Sequence, residues 1–142
     1  MKIFISGIMQ GSTQGHGIQG QDYRQIIRKA VEIRHPDAQI VDPFSLFPDS
    51  VSFDDQRAKE VLFELADEAG SSDFVIAYLP KASMGSALEM MRAYDNGRTI
   101  ISISPMAKNW VIRAVSTIIF PTLDDFCAWI KQNHLTDLNK NP

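Results

Sequence analysis

Five short apolar runs punctuate the chain, separated by stretches in which apolar residues recur at helical spacing. "KIFIS" (2–6) ends at Gly7 and reads as a buried strand. "AQIVD" (38–42), "DFVIAYL" (73–79), "TIISIS" (99–104) and "STIIF" (116–120) repeat the pattern. The run at 73–79 has the near-continuous apolar character of a central parallel strand. Between the first two runs, Asp22 caps "YRQIIRKAVEIR", whose Ile26, Ile27, Ala30 and Ile33 share one face, and Pro36 stops it. Ser52 with Asp55 resembles a capping box opening a helix through about Gly70, with Val61, Leu62, Leu65 and Ala69 inward. A helix over about 86–96 ends at Asn96-Gly97. "AKNWVIRAV" predicts a short helix and "LDDFCAWIKQNH" an amphipathic one, while 135–142, "LTDLNKNP", reads as a frayed tail.

Strands alternating with helices predict one α/β domain over 1–134, a doubly wound five-stranded parallel sheet with right-handed crossovers. The expected strand order is the flavodoxin-like 2-1-3-4-5, in which ligands bind outside the carboxyl ends of the first and third strands. The loops leaving those two strands are both unusual. Residues 7–21 hold five of the eight glycines, and 80–86 is the small-residue stretch "PKASMGS". Two independent oddities thus converge on one crevice.

Composition narrows what that crevice can hold. The 14 basic and 17 acidic residues give a net charge of −3, which offers no footprint for nucleic acid or an anionic membrane. A small anion is still compatible, because backbone NH groups at a helix start bind one without net positive charge. The single cysteine, Cys127, excludes an internal disulfide and a cysteine zinc cluster, and its setting "DDFCAWI" reads as core. No run approaches the ~18 apolar residues of a membrane span. A cytoplasmic protein is therefore expected. His16 sits in "GHG", His35 and His134 lie near helix ends, and no His/Asp cluster favours a metal.

"PKASMGSALEMMRAYDNG" (80–97) carries the chemistry. "SMGS" combines two hydroxyls, a glycine and the free NH groups of a helix start, a combination suited to phosphate or another oxyanion. Glu89 follows one turn later. Ser86-x-x-Glu89 is also a capping box, in which the acid would fold back on its own backbone. A catalytic carboxylate would occupy the same place, and spacing does not separate the two.

The segment "SSDFVIAYLPKASMGSALEMMRAYDNGRTIISIS" resembles the core of the nucleoside 2-deoxyribosyltransferase superfamily, which includes the nucleoside 5′-monophosphate N-glycosidases. Asp73, Ser83, Gly85, Glu89, Ala93 and Gly97 match its pattern, "FISGIMQGS" is similar to its first strand and Gly-rich turn, and "NWVIRAV" to its late active-site segment. The resemblance implies that Glu89 acts at C1′ of a sugar, with no cofactor and no metal. It implies Gly7, Gln10, Gly11, Ser83, Gly85, Ser86 and Asn109 as substrate contacts. Ser83 stands where an acid faces a free 5′-hydroxyl and serine faces a 5′-phosphate, which favours a nucleotide. Asn109 matches a position contributed by a neighbouring subunit, implying a homodimer or higher homo-oligomer with a shared site.

Three departures stand beside that pattern. Leu65 replaces a second catalytic Asp, with Glu64 and Asp67 nearby as substitutes and Glu64 the candidate. Phe4 replaces a first-strand Tyr, and Gln10 a phosphate-pairing Arg for which Arg24 or Arg28 would have to compensate, although both read as solvated helix residues. Asp73 reads as an anchor for the strand start, Tyr78 and Tyr94 as core or interface, and Trp110 as a ligand cover or partner contact. The expected activity is an N-glycosidase acting on a nucleoside 5′-monophosphate. The alternatives are a deoxyribosyltransferase or a catalytically silent nucleotide-binding module.

Overall fold

The computed structural model describes residues 1–9 and 20–140 of the chain. Five parallel strands, β1 (Lys2–Gly7), β2 (Gln39–Val41), β3 (Phe74–Tyr78), β4 (Thr99–Ile103) and β5 (Ile118–Phe120), form one sheet in the order β2-β1-β3-β4-β5. The expected architecture and order are both present. The helices are α1 (Asp22–Arg34), α2 (Pro43–Leu46), α3 (Asp55–Ser71), α4 (Met84–Asp95), α5 (Trp110–Val115) and α6 (Leu123–Gln132). One core layer packs Ile27 and Val31 of α1 and Phe126 and Ile130 of α6 on Ile3, Ile5, Ile76 and Ile101. The other packs Ala69 of α3, Met90 and Ala93 of α4 and Ile112 of α5 on Phe4, Val75 and Ile100. The apolar runs thus alternate their residues between two covered faces, as parallel strands buried on both sides do.

Strand register explains why α4 can lie close to β1. Ser6 is level with Ala77, and Ala77 with Ser102, all fully buried. These small side chains make a shallow row across the sheet on the α4 side. Asp73 ties the strand starts as expected: its carboxylate accepts from the Lys2 amide at 2.8 Å, and its own amide donates to the Lys2 carbonyl at 2.9 Å. Gly97 ends α4 at φ 65°, the left-handed conformation that favours glycine there.

Several local expectations are corrected. The inward stripe of α1 is Tyr23, Arg24, Ile27 and Val31, whereas Ile26 and Ile33 are exposed and Ala30 only partly buried. The helix is rolled because Arg24 has a buried ion-pair partner, and a roll that buried Ile33 would carry that charge away from it. Gln21 precedes α1, with no side-chain cap, and Asp22 is the first helical residue. Asp54, not the Ser52–Asp55 pair, caps α3 by accepting from the Arg57 amide at 2.8 Å. Ser52 lies in a 3-10 turn, out of capping position, and Leu62 is exposed. Residues Leu135–Lys140, expected to fray, form a 3-10 helix whose Leu135 is fully buried in the α1–α6 layer.

A histidine latches that last segment. Nε2 of His35 accepts from the Leu135 amide at 3.3 Å, and the His35 and His134 rings meet edge-on with centroids 5.3 Å apart. Burial, then His134 and Arg34, lower the His35 pKa below its ordinary value of 6.5. A histidine held neutral stabilises the fold above 6.5, and that contribution is lost as pH falls through the lower folded value. The melting temperature of the native chain is therefore expected to fall more steeply below that pH than that of His35→Gln, which accepts the amide at every pH. Thermal denaturation monitored by circular dichroism checks this, and parallel curves would contradict it.

Candidate active site

β1 and β3 leave the sheet side by side, with Gly7 level with Tyr78. β3 leads through Pro80–Ser83 into α4, where Ser83 is the N-cap and its Oγ accepts from the Ser86 amide at 3.3 Å. Gly85 lies in the first turn, and an added Cβ there would meet nothing within 4 Å, so internal packing does not demand a glycine. Ser86 is buried, and among the described residues its Oγ has no hydrogen-bond partner. A buried hydroxyl without a partner costs about 1–3 kcal/mol, which makes it a group with capacity for a ligand.

Glu89 lies one turn beyond Ser86 on the same face of α4. It does not fold back on its own helix. Its Oε2 instead accepts a hydrogen bond from Ser6 Oγ, on β1, and only 8% of the residue is exposed. The capping-box alternative is thereby overturned, because Ser83 takes the cap and the carboxylate reaches across to the sheet. Burial pushes the Glu89 pKa up to about 7, against the opposing effects of the Ser6 hydrogen bond and the Arg24 charge.

Arg24 is the largest fully buried side chain, contrary to its reading as a solvated helix residue. Its guanidinium pairs with Asp42 at 2.9 Å and donates to the carbonyls of Ile5 at 3.0 Å and Gly7 at 3.3 Å. Its Nε donates to Gln21 Oε1 at 2.6 Å. A positive charge thus sits beneath the β1 exit with its donors spread among four acceptors, the kind of satisfaction a buried charge requires. The signal available in the sequence was its position one residue from the Tyr23–Ile27–Val31 stripe. Arg28 pairs with Glu32 within α1 at 3.6 Å. Tyr23 stacks on Tyr78 with ring centroids 4.3 Å apart, and its buried hydroxyl has no hydrogen-bond partner among the described residues. A Cβ at Gly7 would fall 2.1 Å from that hydroxyl, so close approach requires glycine there.

The other expected site residues divide. Asn109 is the N-cap of α5, its Oδ1 accepting from the Val111 amide at 3.0 Å and the Ile112 amide at 3.4 Å. It shares with Ser83 a small cavity of about 80 Å³, walled by Leu79, Met90 and Ile112. Glu64 is exposed on α3, with no tie to the Ser6–Glu89 contact. Leu65 packs on the α3–α4 core layer, and Asp67 pairs with Arg92 at 3.3 Å. Phe4 is fully buried in that layer. Gln10, Gly11 and His16 lie outside the described residues. Ser6 was not anticipated, although strand alternation puts it on the same face as Phe4, two residues on.

A raised carboxylate pKa has a stability consequence. Between 4.5, the ordinary value, and about 7, the folded chain holds a proton that the unfolded chain has lost. Stability from this group is thus full below 4.5 and falls as pH rises through about 7. Glu89→Gln is expected to be more stable than the native chain at about pH 8, by on the order of 1–3 kcal/mol. The advantage should shrink as pH is lowered toward the ordinary carboxylate range. Urea unfolding at both pH values checks it, and a native chain more stable at pH 8 would overturn this account of the buried acid.

No protein-family model matches the sequence, and no curated protein matches it. Solved structures do. A 2-deoxyribosyltransferase from Bacillus psychrosaccharolyticus superposes with a TM-score of 0.70 at 13% identity, covering 97% of this chain and 96% of that one. A conserved protein from Enterococcus faecalis V583 superposes at 0.63 and 14% identity, over 93% and 98%. A CMP N-glycosidase, BcmB, from Clostridium botulinum overlaps at 0.49, too loosely to carry weight. In fold, this chain is similar along nearly its whole length to a nucleoside 2-deoxyribosyltransferase.

Proposed function

We propose that the chain cleaves the bond between base and sugar in a nucleoside 5′-monophosphate. The observation that carries this is Glu89: a buried carboxylate, free of its own backbone, held by Ser6 between the exits of β1 and β3. In an open α/β sheet that is the position where ligands bind. The first turn of α4 supports a phosphate, since Ser83, Gly85 and Ser86 combine hydroxyls with amide donors at the positive end of a helix dipole. A carboxylate at position 83 would repel a phosphate dianion, and serine does not.

In the first step, ionised Glu89 attacks C1′ from the face opposite the base. The C1′–N bond breaks, its electron pair leaves with the base, and the base takes a proton from solvent. A glycosyl ester on Glu89 results. Water then adds at C1′ and gives one proton to solvent, the C1′–carboxylate bond breaks with its electron pair staying on Glu89, and the sugar phosphate is released. Phosphate binding remote from C1′ supplies the energy that positions the carbon over the acid. Glu64 has no step in this scheme. The fold likeness to a 2-deoxyribosyltransferase supports a second reading, in which a free base replaces water as acceptor. Phe4 and Leu65, buried or half-buried where acting groups were expected, favour a third, silent binding.

Subunit pairing completes the proposal. Met84, Leu88 and Met91 form an exposed stripe at helical spacing along α4, and Trp110 and Val111 of α5 are exposed as well. Met84 is 86% and Trp110 85% exposed, large for apolar side chains. A second copy of the chain covering this surface would bring its groups to the start of α4.

Chromatography of ribo- and deoxyribonucleoside monophosphates after incubation is expected to reveal free base, with a new nucleoside on adding an acceptor base if transfer competes. Glu89→Ala should lower the rate by about 10³-fold or more. Because Glu89 must be ionised, kcat/KM should rise with pH through about 7. Equal release by both proteins would exclude Glu89, and thermal stabilisation by nucleotide without release would establish the silent module. For the pairing, light scattering is expected to give a dimer or larger assembly that Leu88→Asp with Met91→Asp dissociates. A monomeric native chain would overturn it.

A further inference from the structure

Phe4 removes a hydroxyl from the first strand, yet the acid of α4 is not left without a partner. Phe4 and Ser6 lie on one face of β1, and Ser6 is one residue from the strand's end, level with Ala77 of β3. Both are fully buried, and the Ser6 hydroxyl donates to Oε2 of Glu89. No other hydrogen bond to the Glu89 side chain exists among the described residues. The small Ala77 beside Ser6 keeps the approach between strand and helix open. We propose that Ser6 is the positioning residue of this site, holding one carboxylate oxygen of Glu89 so that the other faces a bound sugar.

The inference rests on the reading of Glu89 as the reacting acid, and it adds the group that makes that acid usable. A hydrogen bond donated to a carboxylate favours its anionic form and fixes its orientation, both of which attack on carbon requires. A strand held on both sides by the sheet is a rigid support for the donor. The neighbouring groups make no such directional contact. Arg24, from α1, also favours the anion, but Asp42 beyond β2 already pairs with it. Tyr23, from α1, is held neutral by burial, and Tyr78 at the end of β3 stacks on it. Neither tyrosine is hydrogen-bonded to Glu89. Ser6 alone among them makes a directional contact with the acid.

Removing the hydroxyl therefore leaves Glu89 buried without its donor. Side-chain carboxyl carbon NMR on glutamate-labelled full chain, with Glu89→Gln assigning the resonance, reads the effect without needing any substrate. In Ser6→Ala the Glu89 midpoint is expected to move upward by about one pH unit or more, and Ser6→Thr should return it to the native position. Should alanine prevent folding, Ser6→Cys, close in size with a far weaker donor, gives the same comparison. In base release from the nucleotide found active, Ser6→Ala should lower kcat with KM little changed and displace the acidic limb in step with the NMR midpoint, again restored by threonine. A Glu89 midpoint unmoved in Ser6→Ala overturns the proposal. A moved midpoint, in proteins that release no base from any nucleotide, upholds the hold of Ser6 on Glu89 and defeats the glycosidase reading instead.

Discussion

A buried ion pair determines how the rest of this structure sits. Arg24 and Asp42 are both almost wholly removed from water, and each is satisfied beyond the other: the guanidinium by two β1 carbonyls and Gln21, the carboxylate by the Phe44 amide and the Ser45 hydroxyl. Losing either partner of such a pair costs about 3–5 kcal/mol, because the remaining charge stays buried and unpaired. The contact joins α1, the exit of β1 and the start of α2. It sets the roll of α1, which turns Tyr23 under Gly7 and leaves Ile26 and Ile33 in solvent. It also places a buried positive charge whose field reaches Glu89.

Around that anchor the candidate site carries a stability cost. A carboxylate in the interior, and Ser86 and Tyr23 hydroxyls unpartnered among the described residues, would each be better replaced by apolar groups if folding alone mattered. Their clustering around the exits of two adjacent strands is the pattern of a site in which stability is given up for chemistry. The raised pKa of Glu89 follows from the same burial. It places the acid near the boundary between proton-bound and free at neutral pH, so small changes in donors around it shift its charge state considerably.

The chain also shows how one carboxylate can be supported when a strand residue lacks the polar group. Phe4 packs on the α3–α4 layer and strengthens the core. Ser6, on the same face and nearer the strand exit, supplies the hydroxyl. The period of two along a strand makes that exchange possible without moving the backbone. No equivalent substitute accompanies Leu65, since Glu64 points to solvent and Asp67 is engaged with Arg92. The site therefore works, in the proposed mechanism, with one acid.

Much of the architecture was legible in the amino-acid order. Apolar runs of strand length alternating with amphipathic stretches point to a parallel α/β sheet, since the intervening helices then cover both faces of five such strands. The Asn96-Gly97 stop and the polar, small start of α4 are local chemistry, so they too could be read directly. The roll of α1, the capping of α3 by Asp54 and the packing of Leu135 depended on partners distant in the chain, to which local periodicity is blind. Glu89 shows the division most clearly. Sequence alone located an acid one turn inside a helix, where the spacing allowed two geometries. Only the tertiary fold, by laying α4 across a row of small residues and bringing Ser6 within hydrogen-bonding reach, turned that acid away from its own backbone.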